Sequence, residues 1–483
     1  MFAKSAANTE PNTASVSLQA FRHIHFVGIG GAGLSAIAAV LLARGFQVSG
    51  SDLQPNTLTQ SLQERGARIF AGHAAENAHG ADLVVISSAV PASNPEWQEA
   101  VRRGIPVIKR GPLLAALLSD RIGIAVAGSH GKTTMAGMIA FILSEANLDP
   151  SFIIGGVLEN FGTNAREGGG LHFVLEADEY DRTFLALKPH LSVITNVEMD
   201  HPDCFRDEAD LRDTFRRFAA QTAGDGLILA YADDAAVVVL AREAASQAGC
   251  AAQTFGFSDN AWWRAANLRP SEDGTAFTAL RGGEPVIRAF VPLPGEHNVL
   301  NALAALAVAA WLNIPAESAA ESLAAFRGAE RRLEVRGIVG GVTVLDDYAH
   351  HPTQIAATLG AVRQKYQPRA LWAVFQPHTY SRLKALWQGF SVCFGQAEHV
   401  IVLPVYAARE AHDPTVRPQQ LARRMAYTDA HYVEGFEQAA SLLARRVGAG
   451  DVVITLGAGD EWKVADALLA HLKQNLAQTL HVS

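Results

Sequence analysis

The run Gly128-Ser-His-Gly131-Lys132-Thr133-Thr134, set directly behind the apolar stretch Ile122–Ala127, constrains this chain more than any other feature. Glycine permissiveness, a cation and a hydroxyl meet where a strand turns into a helix, an arrangement built to grip a triphosphate. Backbone amides from Gly128, Ser129, His130, Gly131 and Thr134 would cradle phosphates, Lys132 would neutralise the β and γ oxygens, and the Thr133 hydroxyl would reach Mg²⁺. The standard eight-residue pattern asks for glycine at position 126, where valine stands, so this is a shortened variant.

The same strand, glycine turn and helix occur once more, ahead of this one, and the alternation restarts a third time behind it, which makes the chain a series of parallel α/β units. The first begins at His23 and runs through Gly28-Ile-Gly30-Gly31-Ala-Gly33 into a helix over Leu34–Leu42, with strands expected at Phe46–Asp52, Ala81–Ser87 and Ile105–Ile108. Asp52 lies 19 residues beyond Gly33, the spacing of a dinucleotide fingerprint. NAD(P) and any other nucleotide diphosphate satisfy that geometry equally. The second unit starts at Arg121 and continues through strands at Phe173–Glu176 and Leu191–Thr195. From Gly226 to Arg288 shorter apolar runs suggest a small antiparallel part, with Trp262 and Trp263 as core residues. Helices are expected over Ala302–Trp311 and Ala316–Phe326. The third unit offers strands at Val342–Asp346, Ala370–Phe375, His399–Leu403 and Asp451–Leu456.

At 483 residues, with 49% apolar and 18% charged side chains, the chain can fill several cores and is far from the composition of disorder. The expected division is a disordered tail over 1–20 and domains over 21–117, 118–329 and 330–483. A formal charge of −8 gives no general attraction to nucleic acid or an anionic membrane surface, so neither is an expected partner. Three scattered cysteines and a polar N-terminus fit a cytoplasmic protein, and no run of 18 apolar residues suggests a membrane span.

Two acidic clusters follow strands of the second unit, Glu176-Ala-Asp-Glu-Tyr-Asp181 and Thr195-Asn-Val-Glu-Met-Asp-His201. Close to a phosphate loop they suggest hard-cation ligands, Glu176 foremost with His201, although helix-capping turns have the same composition. In the third unit, Asp346-Asp347-Tyr-Ala-His350-His351-Pro352 and Phe375-Gln-Pro-His378-Thr-Tyr-Ser-Arg382 each follow a strand, at the edge where α/β sheets bind ligands. Their acids suit ribose hydroxyls, and their histidines and arginine suit carboxylates or phosphates.

Together with Pro294-Gly-Glu-His297-Asn298-Val-Leu-Asn301 and Phe326-Arg-Gly-Ala-Glu-Arg-Arg332, these motifs resemble the Mur ligase family of peptidoglycan synthesis, from about His25 to about Gly459. The resemblance implies an N-terminal Rossmann-like domain, a central P-loop ATPase domain with a parallel sheet, and a C-terminal Rossmann-like domain. It implies an ATP-dependent ligase, with Mg²⁺ or Mn²⁺, that joins L-alanine to the carboxylate of UDP-N-acetylmuramate through an acyl phosphate, as a monomer or homodimer. A recycling ligase that adds a murein tripeptide to the same sugar is the alternative. By the same resemblance Gly28, Gly30, Gly31, Gly33, Asp52 and His73 serve the UDP moiety, and Lys132, Thr133, Glu176 and His201 the phosphates and metal. His297, Asn298 and Asn301 serve adenine, Arg332 the phosphates, Asp346 or Asp347 ribose, and His350, His378 and Arg382 the amino acid. Lys132, Glu176, His201, Arg332 and His350 form the implied catalytic set. Thr379 departs from the family pattern, standing where many alanine-adding members carry an arginine, which leaves the choice among L-alanine, glycine and serine open.

Overall fold

The computed structural model describes residues 16–425 and 428–482, so most of the expected tail lies outside the described residues; Leu18–Ala20 forms a short 3-10 turn. The chain forms two compact units, the first comprising residues up to Val197, Ala209–Trp263 and Ala304–Ala319, and the second Glu198–Glu208, Arg264–Leu303 and the residues from Ala320 on.

The first unit opens with β1 (His23–Val27), β2 (Gln47–Asp52), β3 (Arg68–Ala71), β4 (Leu83–Ile86) and β5 (Val107–Lys109). They form an all-parallel sheet in the order β3-β2-β1-β4-β5. The chain passes to opposite sides of β1, so the crevice beyond its carboxyl end is a topological switch point. β6 (Ile122–Ala127), β7 (Ser151–Leu158), β8 (Thr163–Arg166), β9 (His172–Glu176), β10 (Leu191–Ile194), β11 (Leu227–Tyr231) and β12 (Ala251–Gly256) follow. Their order is β12-β11-β10-β6-β9-β7-β8, and only the β7–β8 pair is antiparallel. Residues 123–127 of β6 are fully covered, as a central parallel strand must be when helices flank both its faces.

β13 (Trp263–Ser271), which lies in the second unit from Arg264 on, β14 (Gly274–Arg281) and β15 (Glu284–Val291) are neighbours in that order, the last two antiparallel. β16 (Glu334–Val339), β17 (Val342–Asp347), β18 (Leu371–Phe375), β19 (His399–Val402), β20 (Asp429–Tyr432) and β21 (Val452–Leu456) make a sheet ordered β16-β17-β21-β18-β19-β20. It is parallel apart from β16, which folds back on β17. β21 lies at its centre and serves two cores: Val452, Ile454 and Leu456 pack with Phe375 and Leu359, while Val453 packs with Leu468 and Leu443 on the other side.

The α/β architecture agrees with the sequence reading, and the differences have local causes. The parallel sheet runs on through β11 and β12, so the antiparallel part begins only at Trp263, later than expected. Trp263 is buried and donates its indole N–H to Gln253 at 3.0 Å, whereas Trp262 is 45% exposed. The helix expected from Ala302 starts at Glu296, because buried Asn298 and Asn301 satisfy themselves: Asn298 Nδ2 donates to the Pro294 carbonyl at 2.8 Å and Asn301 Nδ2 to Asn298 Oδ1 at 3.2 Å. The short or polar strands β3, β8, β16 and β20 carry too little apolar pattern to be read in advance.

Ile454 has no exposed surface. Ile454→Ala is expected to destabilise the second unit by about 2–5 kcal/mol, the usual range for a truncated core side chain. Denaturant unfolding followed by tryptophan fluorescence measures it.

Candidate active site

In the first unit the loop after β6 is held from behind by the segment that follows β10. Ser129 N donates to the Asn196 carbonyl at 2.9 Å, His130 N to Asn196 Oδ1 at 2.9 Å, and Thr195 Oγ1 to the His130 carbonyl at 2.7 Å. A Cβ on Gly128, whose φ is +140°, would fall 1.9 Å from Thr195 Oγ1, so no side chain fits there. The helix Lys132–Glu145 springs from this turn, with Gly131 at its N-cap. Its N-terminal amides and dipole favour an anion at that point.

Lys132 is the buried cation of the loop. Its Nζ donates to both Glu179 oxygens, at 3.0 and 2.9 Å, and to the Gly128 carbonyl. Burial works to discharge the ammonium, but Glu179, with Glu176 and Asp178 nearby, holds its pKa above the ordinary lysine value. Thr133 Oγ1 donates to Glu176 Oε1 at 3.1 Å, and Glu176 Oε2 accepts from Gly155 N at 2.6 Å. A side chain at Gly155 would strike that carboxylate at 2.7 Å. A hydroxyl and a carboxylate oxygen this close, at a helix N-terminus, are the hard donors that Mg²⁺ or Mn²⁺ takes, so the residues fit such an ion. The other acids of the cluster are committed elsewhere: Asp178 to Arg110, and Asp181 to Lys109 at 2.6 Å and Ser88 Oγ at 2.7 Å.

The glycine turn after β1 is organised by β2. Gly28 N and Ile29 N donate to the Ser51 carbonyl at 2.8 and 3.0 Å, and Gly30 N donates to Asp52 Oδ2 at 2.9 Å. Asp52 therefore anchors the loop itself. Gly31 is the N-cap of the helix Ala32–Ala43, and a Cβ on Gly33 would sit 3.0 Å from an Arg110 guanidinium nitrogen. Arg110 thus brings a cation to the loop, which the motif gave no reason to expect. His73 lies just beyond β3, its Nδ1 3.0 Å from Ser51 Oγ.

In the second unit Arg382 is buried and organises a cluster. Its Nε donates to Asp200 Oδ1 at 2.7 Å, its Nη1 to His378 Nδ1 at 2.7 Å, and its Nη2 faces His201 Nδ1 at 3.5 Å. Burial opposes charge on Asp200, yet His201, Arg382 and His350 hold its carboxyl well below the usual carboxylate range. Burial, with Arg382 beside them, lowers the pKa of both His350 and His378, that of His378 to about 4. Neutral His350 donates Nδ1–H to the Tyr348 carbonyl at 2.8 Å, which leaves Nε2 as a bare acceptor 5.9 Å, ring to ring, from His378. Thr379 adopts φ +64°, donates its N–H to the Tyr406 carbonyl at 2.9 Å, and caps the helix Tyr380–Ala385 through Oγ1. Asp200 and Glu410, which accepts from Ser381 N at 3.0 Å, were not singled out by the motifs, because their partners are distant in sequence.

Asp346 and Asp347 are both buried at the end of β17. Asp346 accepts from Arg331 Nε at 2.7 Å and Thr455 Oγ1 at 2.6 Å, and Asp347 from Leu333 N and Ala349 N at 2.8 Å each. Arg331 also pairs with buried Glu461, whose pKa burial raises to about 7. Arg332 lies with its guanidinium 5.5 Å from the centre of the Tyr348 ring. His297 is driven down to about pKa 4 by burial and by the charge of Arg332.

Three family profiles match successive parts of the chain: "Mur ligase family, catalytic domain" over residues 23–121, "Mur ligase middle domain" over 126–309 and "Mur ligase, glutamate ligase domain" over 331–459. The chain belongs to the Mur ligase family. Its similar Mur ligase relatives include the UDP-N-acetylmuramate–L-alanine ligase of Syntrophotalea carbinolica, 44% identical over 94% of this chain and 98% of that protein. The ligase of the same name from Geobacter sp. strain M21 is also 44% identical, over 93% of this chain and 97% of its own. Among solved structures, the UDP-N-acetylmuramate–alanine ligase of Thermotoga maritima superposes with a TM-score of 0.79 at 26% identity, covering 94% of this chain and 99% of that one. A murein peptide ligase from Psychrobacter arcticus gives 0.69 at 26% identity, with 93% and 98% covered. Among the described residues no helix is long and apolar enough to cross a membrane.

Folding depresses the pKa of His297 and His378 from 6.5 to about 4, so between those values the unfolded chain binds more protons. The contribution of neutral histidine is therefore complete above pH 6.5 and is lost as pH falls toward 4. Thermal midpoints measured across this window should fall with acidification, and His378→Gln should flatten part of that slope.

Proposed function

We propose that the chain is an ATP-dependent ligase that joins L-alanine to the carboxylate of UDP-N-acetylmuramate in peptidoglycan precursor synthesis. The observation that carries this reading is the buried, charged Lys132 in a glycine loop beside the Thr133–Glu176 pair, in a chain nearly half identical to full-length alanine ligases. A carboxylate resists attack by an amine because its leaving group would be oxide. ATP supplies the phosphoryl group that turns it into an acyl phosphate, whose phosphate departs when the amine attacks.

The chain's own residues supply charge and position. Lys132 and the loop amides neutralise charge at the phosphates, and Thr133 and Glu176 would hold the divalent ion that supplies further neutralisation. The Gly28–Gly33 turn, with Arg110 beside Gly33, would receive the UDP diphosphate, and Asp52 would keep the turn in shape. His350, His378 and Arg382 would receive alanine. Asp200 balances the Arg382 charge, and neutral His350 offers Nε2 to hydrogen-bond the incoming amine. His297, Asn298 and Asn301 would face the adenine, Arg332 the phosphates and Asp346 or Asp347 the ribose, with His201 as a further metal ligand. Domain boundaries near 117 and 330 are supported by the three successive profile matches. We place the enzyme in the cytoplasm as a monomer or homodimer, where ATP and the sugar nucleotide are at hand.

Phosphate release from ATP should require both UDP-N-acetylmuramate and L-alanine, and a murein tripeptide should not replace alanine. Lys132→Ala is expected to lower kcat by at least about a thousandfold, since phosphoryl transfer relies on charge stabilisation. Calorimetric binding of the sugar nucleotide should be nearly unchanged in that variant, and equal loss of both would contradict separate phosphate loops.

A further inference from the structure

The N-terminal sheet contains a buried polar chain that the reaction as described above does not use. Glu96, fully buried at the start of the helix Pro95–Arg103, places Oε2 2.6 Å from Ser51 Oγ and 3.2 Å from His25 Nε2. Its Oε1 accepts from Asn77 Nδ2 at 2.7 Å and Ala74 N at 3.2 Å. Ser51 Oγ continues to His73 Nδ1 at 3.0 Å, while Glu96 Oε1 lies 3.5 Å from the same nitrogen without a hydrogen bond between them. On the other side His25 Nδ1 and His23 Nε2 each lie 2.8 Å from Ser49 Oγ, and His23 Nδ1 lies 2.8 Å from the Gly80 carbonyl.

On the Ser51 side the polarity of this chain follows from Glu96. Burial disfavours a charged Glu96, but hydrogen bonds from His25, Ser51 and Asn77 lower its pKa below the ordinary glutamate value, so it is an ionised acceptor. A carboxylate can only accept, hence Ser51 spends its one proton on Glu96. The Ser51 oxygen is then left as an acceptor, and His73 must supply an Nδ1–H to it. In neutral imidazole the other nitrogen is bare. His73 Nε2 has no hydrogen-bond partner among the described residues, and the side chain is 15% exposed. His73 stands at the carboxyl edge of the sheet, next to Gly72, whose N–H is bonded to the Asp52 carbonyl at 2.8 Å.

We infer that Glu96 is a positioning residue that, through Ser51, holds His73 as the Nδ1–H tautomer, so that Nε2 accepts a hydrogen bond from an N–H or O–H of the nucleotide base or ribose rather than donating to its diphosphate. This rests on the reading that the glycine turn after β1 receives the UDP-sugar. Glu96→Gln reverses the relay while keeping its bonds. The amide oxygen accepts from Asn77 and Ala74, the amide NH₂ donates to Ser51 and His25, and Ser51 then donates to His73 Nδ1. His73 becomes the Nε2–H tautomer and loses its acceptor.

The test is long-range ¹H–¹⁵N NMR of histidine-labelled full-length protein, with His73 assigned from His73→Gln, together with steady-state kinetics. Wild type should show Nδ1–H at His73, and UDP-N-acetylmuramate should shift the Nε2 resonance without moving the proton. Glu96→Gln should show Nε2–H and an approximately tenfold higher KM for the sugar nucleotide, the loss of about one hydrogen bond, with little change in KM for ATP or alanine. An Nε2–H tautomer in wild type overturns the inference whether or not the variant folds. So does a variant that keeps Nδ1–H, or one that reverses the tautomer with KM unmoved. Absence of calorimetric binding of UDP-N-acetylmuramate to wild type would instead remove the functional reading, and the tautomer result would stand apart from it.

Discussion

The first unit depends on keeping one ammonium charged inside protein. Lys132 has its hydrogen bonds filled by Glu179 and the Gly128 carbonyl, and without the carboxylate its burial would favour the neutral amine. A buried ion pair of this kind adds little net stability. On the proposed reading its value lies in readiness: charge and geometry would stand at the helix N-terminus before a phosphate arrives, so little reorganisation would remain. Gly128 and Gly155 follow from the same demand, since a side chain at either would collide with the Thr195 hydroxyl or the Glu176 carboxylate.

The second unit solves a related problem with the opposite tactic. Arg382 and Asp200 compensate each other in burial, and desolvation, with the Arg382 charge, keeps His350 and His378 neutral against the pull of Asp200. Neutral imidazoles present defined donors and acceptors, whereas imidazolium would present only donors. The same logic governs Glu96 and His73 in the N-terminal sheet, where an internal carboxylate, acting through Ser51, decides which ring nitrogen carries the proton.

Much of the architecture was legible because glycine turns and apolar runs obey local rules. The loop from Gly128 to Thr134, the strand before it and the helix after it are all contiguous, and each stands where the sequence suggested. The acidic runs were legible only as clusters. Nothing local distinguishes Glu176, which faces Thr133, from Glu179, which faces Lys132, or from Asp178, which pairs with Arg110. Asp52 was recognised by its spacing, but its bond to the Gly30 amide required the pairing of β1 with β2.

The order of residues alone determined the α/β class, the two glycine turns and the family, because these rest on short-range periodicity, glycine placement and ordered motifs. Tertiary structure decided which charge meets which partner. Asp200 and Arg382 are 182 residues apart, Glu96 and His25 71, and Arg331 and Glu461 130, and burial makes each pairing consequential. Charge compensation and proton placement depend on distance and desolvation in three dimensions, and neither quantity is written in a linear pattern.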